Sequence, residues 1–173
     1  MRDFAASAGC VPRILTAVDE VNVSQKEALY NKLSAHFGES GLSGLTIALW
    51  GLAFKPKTSD TREAPAQALI LALLNDGASV QAHDPRAINE TREVLGERRG
   101  LLYVHDQYDA VNGADALAVA TEWDVYKQPD FERIKRLLKN PVVVDGRNLY
   151  SLSDMARRGF EYYSIGRPAV RRV

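Results

Sequence analysis

Cysteine is almost absent from this chain of 173 residues, in which Cys10 is the only one. A single cysteine excludes an intramolecular disulfide, and we therefore expect a protein of the reducing cytoplasm. No base or cation stands at a fixed spacing from Cys10 to activate its thiol. The sequence accordingly predicts an ordinary thiol there and no catalytic nucleophile.

Long apolar runs and an excess of charge are also missing. No apolar stretch reaches the roughly 18 residues that cross a membrane, so no membrane partner is expected. Lys and Arg together number 22, as do Asp and Glu, and a chain without net charge has no bulk attraction to nucleic acid. The histidines, His36, His83 and His105, are too scattered to predict a metal site. Any anion must therefore be held by local geometry.

Apolar segments alternate with helical patterns along most of the chain. Six segments are typical of strands: 45–50, 79–85, 101–105, 115–123, 141–150 and 161–166. Helical patterns cover residues 64–77, 86–96, 107–114, 131–140 and 153–160. This alternation predicts an α/β fold with a doubly wound parallel, Rossmann-like sheet.

One long helical pattern precedes the predicted sheet. Apolar residues recur at three- and four-residue steps over residues 12–37, and GESGLSG (38–44) has the composition of a linker. We therefore expect two units, a helix with its linker at residues 1–43 and an α/β domain at residues 44–173.

Glycine is scarce in the turn after the first predicted strand, GLAFKPKTSDTREAP (51–65). A dinucleotide-binding turn has three glycines, whereas Gly51 stands alone here. Lys55 and Arg62 instead carry positive charges that suit a phosphate or a carboxylate. The alternative interpretation is a capped turn with solvated lysines.

Two further polar segments follow predicted strands, and ligands of open parallel sheets bind beyond the carboxyl ends of the strands. In TEWD (121–124), Glu122 either binds a ligand or caps a loop. In DGRN (145–148), Arg147 is either an anion clamp or the partner of Asp145. Both segments are predicted to share the edge of the sheet with the turn at 51–65.

Asp84 ends the second predicted strand, in the segment HDP. Dinucleotide-binding folds keep an acid at this place for a ribose. An aspartate before Pro85 is equally typical of a turn. Both interpretations stay open from the sequence.

Five segments, in this order, closely resemble the C-terminal part of UDP-glucose 6-dehydrogenases and their nucleotide-sugar dehydrogenase relatives: IALWGLAFKPKTSDTREAP, HDP, ATEWDVY, VVVDGRNLY and GFEYYSIGR. The segment PRILTAVDEVNVSQK resembles the central helix of that family. The resemblance implies two α/β domains joined by this helix, an N-terminal one that binds NAD and a C-terminal one that binds the UDP part of a UDP-sugar. It also implies a homodimer formed largely through helix 12–37.

The same resemblance implies roles for four residues. Phe54 and Lys55 match a pair that contacts the UDP-sugar, and Arg147 matches another substrate contact. Arg62 matches an arginine that reaches the NAD cofactor.

Members of this family convert UDP-glucose to UDP-glucuronate by two hydride transfers to NAD, with a nucleophilic cysteine that forms a thiohemiacetal and then a thioester. That cysteine is followed closely by Lys and Asp, and Cys10 lacks those neighbours. We therefore expect no catalytic residue here and a fragment, without the NAD domain, that is inactive alone.

Other functions stay open at this point. The chain could be a stand-alone nucleotide-binding or regulatory module, or a dimerisation module built on helix 12–37. Relatives that act on UDP-N-acetylmannosamine or GDP-mannose share the same motifs.

Overall fold

A computed structural model describes residue 11 and residues 13–171 of the chain. Its strands are β1 (Thr46–Trp50), β2 (Ser79–His83), β3 (Leu101–Val104), β4 (Ala116–Val119), β5 (Val142–Asp145) and β6 (Glu161–Ser164). Its α-helices are α1 (Arg13–Lys26), α2 (Ala28–Phe37), α3 (Pro65–Asn75), α4 (Ile88–Leu95), α5 (Gln107–Val111), α6 (Asp124–Lys127), α7 (Phe131–Leu137) and α8 (Leu152–Arg157). A 3₁₀ turn at Gly38–Ser40 follows α2.

The six strands form one parallel sheet in the order β3-β2-β1-β4-β5-β6. Ile47 of β1 lies opposite Val80 of β2 on one side and Ala116 of β4 on the other. The chain first runs outward from β1 to β3 and then crosses back to β4, so the strand order reverses between β1 and β4. The predicted doubly wound parallel sheet is confirmed.

The central strands are buried because helices cover the sheet. Every residue of β4 and β5 is buried, as a continuous apolar run requires in a parallel sheet. The helix α2 packs against β5, α3 against β2, and α5 against β1 and β2. In the core, the ring of Trp50 stacks on Tyr126 at a centroid distance of 4.8 Å.

The long N-terminal helix is present with one interruption. Glu27 separates α1 from α2, although its φ of −84° and ψ of −11° stay near helical values. Its N–H donates to the carbonyl of Ser24, three residues back. The helix therefore continues through a single tighter turn and ends at Gly38, which has a φ of 57°. Pro12 and Cys10 lie outside the described residues.

The two parts of this helix differ in burial. The helix α2 buries Leu29 and Leu33, whereas α1 buries no residue. Among the described residues, no helix is long and apolar enough to span a membrane.

One helix of the α/β domain was not predicted. The short α6 forms within ATEWDVY, a segment predicted as a strand end followed by a polar loop. Its four residues make a single turn, which is too short to show a helical period in the sequence.

Candidate functional site

The site lies where the strand order reverses, at the carboxyl ends of β1, β4 and β5. Gly51 directly follows β1 and has a φ of 95°, and a Cβ atom placed on it would lie 2.5 Å from the Cβ of Thr121. Because glycine has no side chain, the loops after β1 and β4 can touch at this point. The hydroxyl of Thr121 then donates to the carbonyl of Ala53 at 2.6 Å.

Asp84, at the end of β2, is buried and fastens three segments together. Its carboxylate accepts five hydrogen bonds of 2.7 to 3.0 Å, from the amides of Leu52, Ala53, Arg86 and Ala87 and from the indole N–H of Trp123. A carboxylate offers about four lone-pair positions, so no acceptor capacity is left for a ribose. Of the two interpretations of Asp84, the structure therefore supports the turn former.

Asp145, at the end of β5, plays a similar role. It is fully buried and accepts hydrogen bonds of 2.7 Å from the backbone N–H of Arg147, the N–H of Leu149 and the hydroxyl of Tyr162. Burial and the neighbouring Asp145 raise the pKa of Tyr162, which keeps this phenol protonated as a donor. Asp145 thus shapes the turn that carries Arg147 but does not hold the guanidinium.

The guanidinium of Arg147 joins the loops after β1 and β4. Its Nε donates to the carbonyl of Ala120 at 2.7 Å, and its Nη2 donates to the carbonyl of Phe54 at 3.2 Å. An oxygen of Glu122 lies 3.0 Å from Nε, which forms an ion pair, but the Nε–H points to Ala120. Toward the described residues, Nη1 makes no hydrogen bond.

Glu122, the ion-pair partner of Arg147, has a buried carboxylate oxygen without a hydrogen bond in the described part of the chain. Its Oε2 is shielded from solvent and accepts no hydrogen bond from the described residues. The neighbouring charge of Arg147 compensates it instead. Among the described residues, Glu122 is therefore the ion-pair partner of Arg147 and its Oε2 caps no loop.

A cavity of about 590 Å³ opens between these loops and the N-terminal helix. Phe54 and Arg147, two of the predicted substrate contacts, both line it. Lys26 of α1 and Glu63 of the loop after β1 line it as well, and they form an ion pair across it. The volume lies within the range of pockets that hold small organic ligands.

The other two predicted site residues lie outside this lining. Lys55 is exposed next to Phe54, and its charge acts on Asp60. The side chain of Arg62 is 88% exposed. Its Nε and Nη2 donate hydrogen bonds of 2.9 and 2.8 Å to the carboxylate of Asp60. These bonds from Arg62 are the main cause that lowers the pKa of Asp60 to about 2.

Lys26 and Glu63 were not predicted from the sequence. They are 37 positions apart, and nothing in the local pattern connects a helix end to a distant loop. A backbone feature marks the region: among the described residues, the non-glycine residues with positive φ are Lys57, Glu63 and Asn148. All three belong to the loops after β1 and β5. Such conformations concentrate at binding sites, where the surrounding structure enforces them.

No group of three or more His, Cys, Asp or Glu side chains that could hold a metal ion occurs in the part of the chain that the structure describes. The aromatic and charged side chains of the cavity lining are Phe54, Lys26, Arg147, Asp19 and Glu63.

Comparison with known proteins adds a family to this geometry. Residues 48–152 match the model of the UDP binding domain of the UDP-glucose/GDP-mannose dehydrogenase family. The UDP-glucose 6-dehydrogenase of Pseudomonas aeruginosa is 47% identical over 167 residues, which are 95% of this chain and 37% of that protein. The UDP-glucose 6-dehydrogenase TuaD of Bacillus subtilis is 44% identical, over 97% of this chain and 36% of its own length. The chain thus spans a little over a third of these relatives.

Solved structures agree with the sequence match. A UDP-glucose dehydrogenase from Pyrobaculum islandicum superposes with a TM-score of 0.77 at 32% identity, over 94% of this chain and 34% of that one. The NDP-N-acetyl-D-galactosaminuronic acid dehydrogenase of Methanosarcina mazei gives a TM-score of 0.69 at 28% identity, over 82% of this chain and 29% of that one.

Proposed function

Since this chain belongs to the UDP-glucose/GDP-mannose dehydrogenase family, we propose that its α/β domain binds the UDP part of a sugar nucleotide, with UDP-glucose as the substrate. The match to the UDP binding domain runs from within β1 to the start of α8, which includes the loops after β1, β4 and β5 that line the cavity. The enzyme of which this domain is a part oxidises the sugar with NAD.

The observation that carries this proposal is that Phe54 and Arg147 line one cavity at the point where the strand order reverses. The guanidinium of Arg147 is already oriented by two backbone carbonyls, and its Nη1 remains for a ligand. A planar guanidinium matches the oxygens of a phosphate. Lys55, which is exposed next to Phe54 in the same loop, adds a second positive charge to this loop.

In this proposal, the NAD site and the reacting groups lie in the larger part of the enzyme, which this chain does not cover. Arg62 extends toward the bound NAD from the loop after β1. Arg62 is exposed, and among the described residues its guanidinium pairs with Asp60 of the same loop, so it can turn to another anion. A cytoplasmic location is also part of the proposal, and the single cysteine of this chain supports it.

A homodimer through the N-terminal helix is the third part of the proposal. Ile14, Val18 and Val21 follow each other at steps of four and three residues, so they share one face of α1. They are 80%, 49% and 57% exposed in the single chain. A second copy of the helix would cover this face.

Calorimetric titration with UDP tests the proposal. We expect the 173-residue chain to bind UDP and Arg147→Ala to bind it roughly 10- to 100-fold more weakly, since a hydrogen bond to a charged group contributes about 1.5–3 kcal/mol. Lys55→Ala should weaken binding in the same direction. Arg136→Ala is the matched control, because Arg136 is exposed on α7, away from the cavity.

Two results would contradict the proposal. One is the absence of UDP binding by the folded wild-type chain. The other is equal affinity of UDP for the Arg147→Ala and Arg136→Ala variants, which would remove Arg147 from the site.

A further inference from the structure

An ion pair in the lining of the cavity links the N-terminal helix to the loop after β1. Lys26 lies in the last turn of α1, and Glu63 lies just before α3. The ammonium of Lys26 donates to the carboxylate of Glu63. The two side chains differ in exposure: that of Lys26 is 29% exposed and that of Glu63 is 80% exposed.

The charges of the cavity lining cancel in this state. Its bases are Lys26 and Arg147, and its acids are Asp19 and Glu63. A nucleoside diphosphate brings at least two negative charges. Arg147 alone supplies one positive charge, and two of its N–H groups already bind backbone carbonyls. Within the lining, Lys26 is the other cation that could balance the second charge of a diphosphate, in addition to Lys55 outside the lining.

Lys26 can become available because its present partner is easily replaced. The carboxylate of Glu63 is mostly in solvent, so water can hydrate it as soon as it leaves the ammonium. Exposed ion pairs stabilise a fold very little, so breaking one costs little free energy. Lys26 also has a flexible stem of four methylene groups, which lets the ammonium move into the cavity while the helix stays in place.

We propose that Lys26 is a further phosphate-binding residue of this site and that the diphosphate of the ligand displaces Glu63 from it. This inference rests on the proposed UDP site and adds a cation to it from outside the α/β domain. It makes the N-terminal helix part of the ligand-binding surface. Glu63 then acts as an internal competitor that occupies Lys26 while the cavity is empty.

Titrations with UDP and with uridine, followed by NMR chemical shifts, test this inference on the 173-residue chain. We expect Lys26→Met to weaken UDP binding about tenfold and to leave uridine binding unchanged, because only the phosphates contact the lysine. Lys26→Arg, which keeps the charge, should restore most of the UDP affinity. Glu63→Gln should tighten UDP binding by a few fold, and this gain should vanish when Lys26→Met is also present.

Lys32→Met is the matched control. Lys32 lies on α2 and lines a different cavity, together with His36 and Tyr163, so its loss should leave the UDP affinity unchanged. Thermal unfolding of each variant shows that the fold is retained.

The outcomes separate this inference from the proposed function. UDP binding by the wild-type chain with unchanged affinity in Lys26→Met overturns the inference alone. An equal loss of uridine binding in Lys26→Met, or weaker UDP binding in Glu63→Gln, also overturns it, because the pair would then only hold the cavity in shape. No UDP binding by the wild-type chain overturns both.

Discussion

Two buried aspartates at the ends of β2 and β5 hold the loops of the site in place. Asp84 and Asp145 bind backbone N–H groups that the loops would otherwise leave unpaired at a buried position. Arg147 binds carbonyls of the loops after β1 and β4. The cavity is thus shaped by backbone hydrogen bonds to three charged side chains.

The sequence predicted part of this arrangement. Phe54 and Arg147 were expected to contact the same ligand, and they line the same cavity. Whether Asp84 served a ligand or the fold could not be decided from the segment HDP, because its donors include Leu52 and Trp123, far away along the chain. Local patterns do not report which distant N–H groups converge on one carboxylate.

Gly51→Ala should destabilise the fold through a steric clash. An added methyl group would lie 2.5 Å from the Cβ of Thr121, and the residue would have to keep a φ of 95°. We expect the free energy of unfolding in urea to fall by about 2–4 kcal/mol, as for overpacked and strained positions. Gly96→Ala is the control, since Gly96 has a φ of 72° with no atom within 4 Å of its added Cβ. Equal losses at both positions would show that backbone strain, not the contact with Thr121, accounts for the effect.

At the scale of the elements, the sequence predicted the type of each strand better than its bounds, since the predicted strand 115–123 ends at Val119. The strands β1, β4 and β5 were found because a strand covered on both faces is a continuous apolar run. The interruption at Glu27 was not expected, since glutamate is a good helix former and the backbone there stays nearly helical. The single turn of α6 is held by its neighbours, as Tyr126 is buried against Trp50 and His83.

The apolar face of α1 leads to a prediction about assembly. We expect light scattering to give a mass of twice the chain's 19.1 kDa, because Ile14, Val18 and Val21 are exposed together. The double substitution Val18→Asp and Val21→Asp should give a monomer, since it places two charges on that face. Glu20→Gln, at an exposed position outside this spacing, should leave the mass unchanged. A monomeric wild-type chain would contradict the dimer.

At the scale of the whole molecule, all the candidate ligand contacts gather at one edge of the sheet. The alternation of strands and helices predicted this edge, because parallel strands all end on the same side. The order β3-β2-β1-β4-β5-β6 could not be predicted from alternation alone, since it depends on which distant strands pair. The position of the N-terminal helix over the cavity could not be predicted either, and this position brings Lys26 to the site.

Binding without turnover is the expected behaviour of the 173-residue chain. In the described part of the chain, the cavity lining contains no cysteine that could attack an aldehyde. We expect no formation of NADH from NAD and UDP-glucose, measured by absorbance, under conditions in which the same sample binds UDP. A UDP-glucose 6-dehydrogenase of full length serves as the positive control. Reproducible NADH formation by this chain would show that it carries the reacting groups itself.

The five hydrogen bonds on Asp84 also limit how this scaffold could be re-engineered. Glycines introduced after β1, to imitate a pyrophosphate-binding turn, would change only the backbone of that loop. The carboxylate of Asp84 would still have all its acceptor positions occupied by hydrogen bonds. Freeing that acid would require new partners for the amides of Leu52 and Ala53 and for the indole of Trp123. Converting this domain into a dinucleotide-binding domain would therefore require three loops to be redesigned together. Single substitutions should not create a dinucleotide site.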